Sequence, residues 1–571
     1  MVMYTRQIGK SQRVVTGQGP AVHRVHLIGP HPILNHFLAR LNFLSIVRSC
    51  LGSQNKGILD HAQTLSVFIQ NIILSPAPLY RIAEWAHPID PSALELTAQE
   101  KRSLNDDRVA RSLDALTGRR AGTLFFQLAL RSIKQFELDT RRIHHDTTSL
   151  TFSGRYKDSK DTPRITRGLS KDHRPDLKQL VFGLNVTADG AVPISHDIYN
   201  GNRTDDTVHR GNVDQLRQIL HRTDFIYVAD SKLATRKNLA HVAQYGGRFV
   251  TLLPRTRIED RRFRKSLREG ASVRWRKILE IENSRRKSGP PVVYSVTSDG
   301  PSESVEGYRI IWIKSSKKKE LDALARISSL EKAEAELFDL NTRLSLRRVR
   351  SGSTIQKKAQ DILAKHKCRR FLNVRLASQT NVQTKRLRPG RPRKGDPVKT
   401  IKTKVYHLEV SRNKEELGAE ARTDGIFPLV TNLEQKKASK KEVLLIYKYQ
   451  PYVEKRHALF KSELEVAPVY IKKPKRAVGL IHAVYLGMVL DALIERTVRM
   501  NMAKGGIEAI RILPEGRATK TPTTARILET FSDICWYEFE RGGEIVTFPI
   551  ELSPLQTQLL KLLEMETSAY S

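Results

Sequence analysis

Between Ile143 and Pro254 the sequence alternates short β-rich runs with helical ones, and this order restricts the fold more than any other feature of the chain. Strands are predicted at 147–152, 180–186, 192–196, 225–229 and 248–253, where β-branched and aromatic residues are concentrated. Three of these strands come before the first helical run, and each of the two remaining strands follows a helical run. The pattern therefore predicts a hairpin meander continued by crossover connections in a mixed α/β sheet.

This strand order is the one that a ribonuclease-H-like core requires, so we predict an α/β protein built around such a core. We expect five regions: a mainly helical DNA-binding and dimerisation region at 1–138, the first part of the core at 139–254, a basic β-rich insertion at 255–442, the second part of the core at 443–500, and a small helical tail at 501–571. The insertion should contain a helical arm, because apolar residues recur at alternating three- and four-residue spacing. They are Leu330, Ala333, Leu337, Leu340 and Leu344.

The charge of the chain indicates a polyanionic partner. Lysine and arginine number 98 against 60 aspartate and glutamate residues, which gives a formal net charge of +38. Nucleic acid is the commonest partner of so basic a protein, and binding to it depends strongly on salt. A solvated basic surface would have the same composition, so the charge does not separate a DNA-binding protein from an enzyme that acts on DNA.

Cysteine content and hydropathy bear on the compartment. Cys50, Cys368 and Cys535 are far apart and lack paired spacing, so neither a disulfide framework nor a zinc module is predicted. We therefore expect a reducing, cytoplasmic environment, and the N-terminus shows no charged-then-apolar leader. The longest apolar run, from Ile481 to Ile494, is short and carries an aspartate, which predicts a buried helix and no membrane partner.

Two aspartates stand at the ends of predicted core strands. Asp146 begins the first strand, in the sequence His-His-Asp-Thr-Thr, and Asp230 follows the fourth, in Tyr-Val-Ala-Asp-Ser. In a ribonuclease-H-like sheet these strands are neighbours, so the two carboxylates are expected to converge. Two Mg²⁺ ions about 4 Å apart, held by carboxylates, promote phosphoryl transfer. Taken singly, an acidic residue at a strand end is more often a turn or cap residue.

A third candidate lies in a polar stripe after the predicted insertion. Tyr447, Gln450, Glu454 and Lys461 stand at offsets of three, four and seven residues, close to one helical face. Pro451 suits the first turn of a helix, so Tyr447 is expected to precede that helix, and only Glu454 and Lys461 are predicted to share a face. An amphipathic helix with ordinary surface charges is the alternative.

These residues resemble the Tyr, Arg, Glu, Lys signature of bacterial insertion-sequence transposases of the insertion-sequence-four superfamily. The similarity extends to the blocks at 168–179, Gly-Leu-Ser-Lys-Asp-His-Arg-Pro-Asp-Leu-Lys-Gln, and at 423–432, Thr-Asp-Gly-Ile-Phe-Pro-Leu-Val-Thr-Asn, and to Gly201-Asn202 with Asp205. Such blocks resemble those of a subgroup with a large β-rich insertion before the glutamate. The resemblance runs from about Ile143 to Arg496 and departs from the signature at Gln450, where the superfamily has arginine.

The resemblance implies a cut-and-paste transposase of the acidic-triad kind. It implies that Asp146, Asp230 and Glu454 hold two Mg²⁺ ions, for which Mn²⁺ substitutes, and that Tyr447 and Lys461 contact DNA phosphate near the element end. Gln450 would offer DNA a neutral hydrogen bond in place of a charged bidentate fork. The family also implies a homodimer that pairs both double-stranded terminal repeats, a hairpin intermediate, and a bacterial, nucleoid-associated location.

Further candidates lie outside the triad. The run from Arg388 to Lys394 looks like the core of a minor-groove hook, in which Arg388, Arg391 and Arg393 lie along A·T-rich DNA; a disordered basic linker is the alternative. His144 and His145 flank Asp146, but Mg²⁺ prefers oxygen ligands, so packing or hydrogen bonding is expected of them. Asp424 is a reserve candidate for Asp230, although Asp-Gly usually forms a turn.

We therefore predict a DNA transposase that nicks element ends by metal-activated hydrolysis and joins the freed 3′-hydroxyl to target DNA. One alternative is a structure-specific nuclease, which needs similar carboxylates but joins no strands. Another is a non-catalytic DNA-binding protein descended from a transposase, although all three acidic positions are filled. Glycoside hydrolysis by paired carboxylates would explain neither the charge nor the basic insertion.

Overall fold

The fold is described by a computed structural model. It describes residues 21–52, 58–76, 78–154, 156, 163–171, 174–282, 289–346, 351–386, 398–463, 471, 473–541, 544–547 and 550–570. The chain divides into two compact units. The first unit comprises Met1–Val228, Tyr245–Gly247 and Tyr449–Ser571, and the second unit comprises Ala229–Gln244 and Arg248–Lys448.

The N-terminal part of the first unit is helical, as its periodicity predicted, apart from one initial strand. The elements are β1 (Ala21–Leu27), α1 (His31–Arg40), α2 (Phe43–Leu51), α3 (His61–Leu74), α4 (Ile82–Ala86), α5 (Ala98–Arg102), α6 (Asp106–Ala115) and α7 (Ala121–Gln135). Helix α3 begins with a capping box, in which Asp60 accepts a hydrogen bond from the Gln63 amide and Gln63 accepts one from the Asp60 amide. This exchange satisfies backbone donors that the first turn leaves unpaired.

The predicted hairpin meander follows. Its elements are β2 (Arg142–Phe152), β3 (Lys178–Thr187), β4 (Pro193–Asn200), α8 (His209–Leu220) and β5 (Ile226–Ala229). β2 pairs antiparallel with β3, and β3 with β4, whereas β5 returns parallel to β2 after the crossover through α8. The strand order β4-β3-β2-β5 therefore agrees with the predicted mixed α/β sheet.

The second unit contains a five-stranded antiparallel arrangement. Its elements are α9 (Arg236–Ala243), β6 (Arg248–Leu252), α10 (Ile258–Arg268), β7 (Arg276–Ile281), β8 (Val292–Thr297), β9 (Arg309–Ser315), α11 (Ser316–Leu346), α12 (Gly352–Lys365), β10 (Leu372–Arg386), β11 (Val398–Arg412), α13 (Lys414–Ala421), β12 (Ile426–Thr431) and α14 (Lys440–Tyr447). The order β6-β12-β9-β8-β7 places β7 at the edge. The sequence had not predicted β7, which has no fully buried side chain.

The predicted helical arm forms within the second unit. Its apolar stripe on α11 packs against α12 and against the base of a two-stranded ribbon made by β10 and β11. The buried residues of this cluster are Leu330, Ala333, Leu337, Leu344, Ile355, Ala359, Leu363, Cys368, Leu372 and Leu408. The arm is therefore a helical hairpin that carries a β-ribbon. The sequence pattern predicted its first helix and short β-like runs at 371–376 and 404–410, but not the full length of the ribbon.

The C-terminal part of the first unit corrects the prediction of a helical tail. Its elements are α15 (Pro451–Ala458), α16 (Pro474–Lys504), β13 (Ile510–Arg511), β14 (Ala518–Thr519), α17 (Thr524–Glu529), β15 (Cys535–Arg541), β16 (Glu544–Thr547) and α18 (Pro554–Leu562). β15 pairs with both β1 and β16 in a three-stranded sheet. The tail was mispredicted because β15 takes its partner β1 from the other end of the chain, where local patterning gives no signal.

Helix α16 contains the longest apolar run. Of the helices within the described ranges, it alone is long and apolar enough to span a membrane, yet 89% of its most apolar window is buried inside the protein. It contacts α3, α6 and β4 of the first unit. The prediction of a buried core helix is confirmed for this segment.

Candidate carboxylate site in the first unit

Asp146 lies in β2 between two buried neighbours. His145 and Thr147 are 1% and 4% exposed, whereas the Asp146 side chain is 22% exposed. Its backbone is held by the antiparallel ladder to β3, where it stands opposite Leu184. The sheet therefore fixes the position of this carboxylate while part of it remains accessible to solvent.

A lysine and a second carboxylate stand beside Asp146. Lys171 Nζ donates to the Thr147 carbonyl at 2.6 Å and hydroxyl at 2.8 Å, and it pairs with Asp205 at 3.2 Å. The Thr147 hydroxyl donates in turn to Asp205 Oδ1 at 2.6 Å. The same ammonium lies 4.0 Å from Asp146 Oδ1. Lys171 is thus a positive charge held between two carboxylates, which reduces their mutual repulsion.

Lys171 and Asp205 belong to blocks that the sequence resemblance singled out, but they were not predicted as site residues. Lys171 is separated in sequence from Asp146 and from Asp205, so only the fold reveals that the three groups meet. One sequence feature could have indicated them. Both are charged residues within blocks that resemble the family, and neither had been given a role.

Gln450 ties the start of α15 to β2. Its amide nitrogen donates to the His145 carbonyl at 2.6 Å, and its carbonyl oxygen lies 3.0 Å from His144 Nδ1. Because the Gln450 oxygen is an acceptor, His144 must carry the proton on Nδ1. Gln450 is 6% exposed, so in this structure its amide is engaged within the protein. The predicted contact between Gln450 and DNA stays a prediction.

Arg456 anchors the opposite side of α15. It is 7% exposed and donates to Asp491 at 2.7 Å and to Glu495 at 3.0 Å, both on α16. It also donates to the carbonyl oxygens of Gly190 and Ala191, each at 3.1 Å. Sequence reasoning missed this residue because its buried partners lie far away in the chain. The network fixes α15 with respect to both α16 and the turn between β3 and β4.

Glu454 is exposed in the first turn of α15, where the helix dipole favours a negative charge. Lys461 is half-buried in a π-helical turn, Leu459–Glu463, that continues the helix. This turn interrupts the α-helical repeat on which the predicted common face of Glu454 and Lys461 rested. One face of α15 is thus anchored while its first turn presents a carboxylate to solvent.

The histidines around Asp146 are neutral. Burial lowers the pKa of His144 to about 4 and that of His145 to about 3. Burial, followed by the charge of Lys171, lowers the pKa of His457 to about 3, and its Nε2 lies 3.9 Å from Asp146 Oδ2. His145 pairs with Asn185 at 3.1 Å and stacks on Tyr227. The expected packing and hydrogen-bonding roles of His144 and His145 are confirmed.

The remaining predicted site residues belong to the second unit or lie outside the described residues. Asp230 belongs to the second unit, where its side chain accepts the Lys232 amide at 3.0 Å and caps a short 3₁₀ turn, Ser231–Leu233. Tyr447 is half-buried at the end of α14, also in the second unit. As predicted, it precedes the helix that begins at Pro451. Arg388, Arg391 and Arg393 lie outside the described residues.

Asp424, the reserve candidate, has a structural partner. It is 5% exposed and forms a two-pronged ion pair with Arg326, with one N···O distance of 2.9 Å. Gly425, which follows it, has φ +80, and a Cβ there would stand 2.6 Å from the Ser315 carbonyl oxygen. The Asp-Gly pair therefore forms the turn that its sequence favoured.

Metal binding stays a prediction. The carboxylate oxygens of Asp146 and Glu454 are the hard donors that Mg²⁺ prefers, and both are open to solvent in part or fully. Within the described ranges, however, no group of three or more His, Cys, Asp or Glu side chains is gathered in a way that could hold a metal ion.

Comparisons with known proteins give two findings. A family model described as a domain of unknown function, DUF4277, matches residues 23–130, which covers the N-terminal helices and none of the carboxylate site. Among solved structures, the cryo-EM structure of the piggyBac transposase synaptic complex with hairpin DNA is similar at 10% identity and a TM-score of 0.28. That match covers 53% of this chain and 63% of the other. A search of curated proteins found no match.

Proposed function

We propose that this protein is a metal-dependent DNA transposase in which Asp146, Asp230 and Glu454 carry out strand cleavage and 3′-hydroxyl transfer. The strand register is the observation that supports this most. β5 runs parallel to β2 with Val228 opposite His144. In the sequence, Asp146 follows His144 by two residues, and Asp230 follows Val228 by two residues. The parallel pairing of β2 with β5 supports the proposal that these two aspartates act together.

The chemistry assigns a role to each group. Two bound Mg²⁺ ions would supply Lewis acidity for the attacking water or 3′-hydroxyl and for the leaving oxygen. Asp146 offers a carboxylate whose backbone the sheet holds fixed, and Glu454 offers one on an anchored helix. The ammonium of Lys171 offsets the repulsion between Asp146 and Asp205 before DNA arrives. The basic composition supplies attraction for both the element ends and the target duplex.

Within the same proposal, Tyr447, Lys461 and the arginines Arg388, Arg391 and Arg393 contact DNA, and Gln450 serves chiefly to position α15. The hydrogen bond that Gln450 donates to His145 and the one that it accepts from His144 support that positioning role. We further propose a homodimer in the paired-end complex and a bacterial cytoplasmic location, both of which rest on the family resemblance alone.

The deciding experiment is cleavage of a labelled duplex that carries the inverted repeats flanking the reading frame, with Mg²⁺ present. The unaltered chain is compared with Glu454→Ala and with Glu415→Ala. Glu415 is the matched control because it is also an exposed acidic residue in the first turn of a helix. We expect cleavage by the unaltered chain and the control only.

Other outcomes point to the alternatives. Equal cleavage by all three proteins would remove Glu454 from the site. Binding without cleavage by any of them would favour a DNA-binding protein that has lost catalysis. Cleavage of the duplex without joining of a precleaved end to target DNA would favour a structure-specific nuclease.

A further inference from the structure

The β10–β11 ribbon extends well beyond the core that supports it. The strands pair over 15 residues each. Near its base, Leu372 and Leu408 are buried against the helical arm. Further out, the segments 379–386 and 398–405 form backbone hydrogen bonds only with each other, and we call them the outer ribbon. Isolated two-stranded sheets are marginal in water, so this one is poorly supported without a partner.

One face of the outer ribbon carries a row of amide side chains. Gln379, Asn381 and Gln383 alternate along β10 and therefore point to the same side, which we call the amide face. All three are exposed, and within the described ranges their side chains form no hydrogen bonds. Amides spaced in this way offer three donor and acceptor pairs along about 14 Å of strand.

The outer ribbon is basic and contains no acidic residue. Lys385 stands directly opposite Lys399 at its far end, and Lys402 and Lys404 follow on β11. All four are exposed, and none forms an ion pair within the part of the chain that the structure describes. Like charges placed directly opposite each other destabilise a sheet. The pair of lysines is therefore suited to a surface that supplies negative charge from outside.

The dimensions of the outer ribbon fit double-stranded DNA better than double-stranded RNA. The major groove of B-form DNA, about 12 Å wide, admits a two-stranded β-ribbon, whereas the major groove of A-form RNA is deep and narrow. In the major groove of B-form DNA, glutamine and asparagine side chains form paired hydrogen bonds with adenine N6 and N7. Alternate residues of a strand are about 6.8 Å apart, close to two base-pair steps of about 3.4 Å.

We propose that the outer ribbon enters the major groove of double-stranded DNA with its amide face toward the base edges. Gln379, Asn381 and Gln383 then read a short run of base pairs that includes adenine, while Lys385 and Lys399 contact the flanking phosphates. The inference rests on the proposed function only in taking DNA as the partner. It adds a sequence-reading element that is independent of the carboxylates and of metal.

The test is selection of bound duplexes from a pool with a random 12-base-pair centre, with EDTA present so that no cleavage occurs. The full chain is compared with the triple variant Gln379→Ala, Asn381→Ala, Gln383→Ala. The matched control replaces three exposed hydroxyl residues of the opposite face, Ser378→Ala, Thr380→Ala, Thr384→Ala. We expect the unaltered chain and the control to select the same motif. The amide variant should lose preference over about five adjacent base pairs and bind the selected duplex at least about tenfold more weakly.

Modified probes test the groove itself. Replacing adenine by 7-deazaadenine in the selected duplex removes the N7 acceptor of the major groove, so it should weaken binding by the unaltered chain and leave the amide variant unaffected. The double variant Lys385→Ala, Lys399→Ala should lower the slope of log affinity against log salt by about two. A double-stranded RNA of the same sequence should compete poorly.

Several outcomes would overturn the inference. The inference is wrong if the amide variant selects the same motif with the same affinity. It is also wrong if the unaltered chain binds the 7-deazaadenine duplex as tightly as the adenine duplex. Self-association without DNA that the amide variant abolishes in sedimentation would assign the ribbon to a second copy of the chain. Because these experiments contain no metal, failure of cleavage leaves the inference intact, and failure of the ribbon leaves the proposed chemistry intact.

Discussion

The carboxylate site and the outer ribbon differ in where their polar groups find partners. Beside Asp146, the charges and hydrogen-bonding groups of Lys171, Thr147 and Asp205 are satisfied within the protein. On the ribbon, Gln379 and Lys385 have no partners within the described residues. Groups that take part in a reaction act faster when the protein already holds them in the right orientation before the substrate binds. Groups that recognise a partner form their hydrogen bonds and ion pairs with that partner.

The largest expected effect tests the carboxylate side of this comparison. Asp146→Asn keeps the size of the side chain but removes its charge, so it should slow single-turnover cleavage of the element-end duplex about a thousandfold, because metal ions contribute several kcal/mol to such reactions. Asp176→Asn, an exposed residue paired with Arg174, is the control and should leave the rate unchanged. A rate within twofold of the unaltered chain would make Asp146 a structural residue only.

Arg456→Met tests the preorganisation of α15. The substitution leaves Asp491 and Glu495 buried without their shared cation, so the free energy of unfolding should fall by about 3–5 kcal/mol. Arg81→Met, which removes a fully exposed ion pair with Glu84, should leave the free energy of unfolding nearly unchanged. Urea denaturation measures both, and equal losses would mean that the buried network contributes little to holding α15.

The buried polar groups of the N-terminal helices give a pH dependence that the ribbon should lack. Burial lowers the pKa of His31 from 6.5 to about 4. Because the folded pKa is the lower one, the unfolded chain binds the proton first. The stability contributed by neutral His31 is complete above about pH 6.5 and declines as the pH falls toward 4, by about 1.4 kcal/mol per pH unit.

His31→Gln should therefore reduce the slope of unfolding free energy against pH by one proton in that window. The control is His87→Gln, which changes an exposed histidine in the same region and should keep the slope of the unaltered chain. Unfolding curves at pH 6.5, 5.5 and 4.5 measure the difference. An unchanged slope for His31→Gln would show that the histidine is not kept neutral by the fold.

The smallest effect concerns the ribbon without DNA. Lys385→Thr removes the repulsion with Lys399 and should stabilise the outer ribbon by about 0.2–1 kcal/mol, seen as slower amide hydrogen exchange along β10 and β11. Lys402→Thr is the control, because Lys402 stands opposite Val382 and loses no such repulsion. Equal protection from hydrogen exchange in both variants would show that Lys385 and Lys399 do not destabilise the ribbon in the absence of DNA.

Local patterning predicted the elements whose signal lies within them. The strands from β2 to β5 and the stripe on α11 were found because alternation and helical spacing are local properties. β1 and β15 were missed because each is stabilised by the other across the length of the chain. β7 was missed because an edge strand needs no continuous apolar face.

The candidate site shows the same division. The sequence pattern indicated Asp146 and Glu454 as candidates from their places in a strand and a helix. It did not predict which groups surround Asp146. Lys171 approaches it from a separate loop, and Gln450 bonds to His145 across 305 residues. Gln450 is buried against the His144–His145 pair, and the signature position gave no indication of these contacts. Sequence periodicity carries no information about such long-range approaches.

The first unit is discontinuous, and this has a consequence during synthesis. Its two main segments are separated by the 220 residues from 229 to 448, so the ribosome must complete the second unit before α15 exists. At about 5–20 residues per second, β2 to β4 wait roughly 13–50 s for Gln450 and Arg456 to be synthesised. Throughout that interval the nascent strands expose apolar surface that α15 and α16 later cover, so production of this protein should depend on chaperones that bind such surfaces on the ribosome.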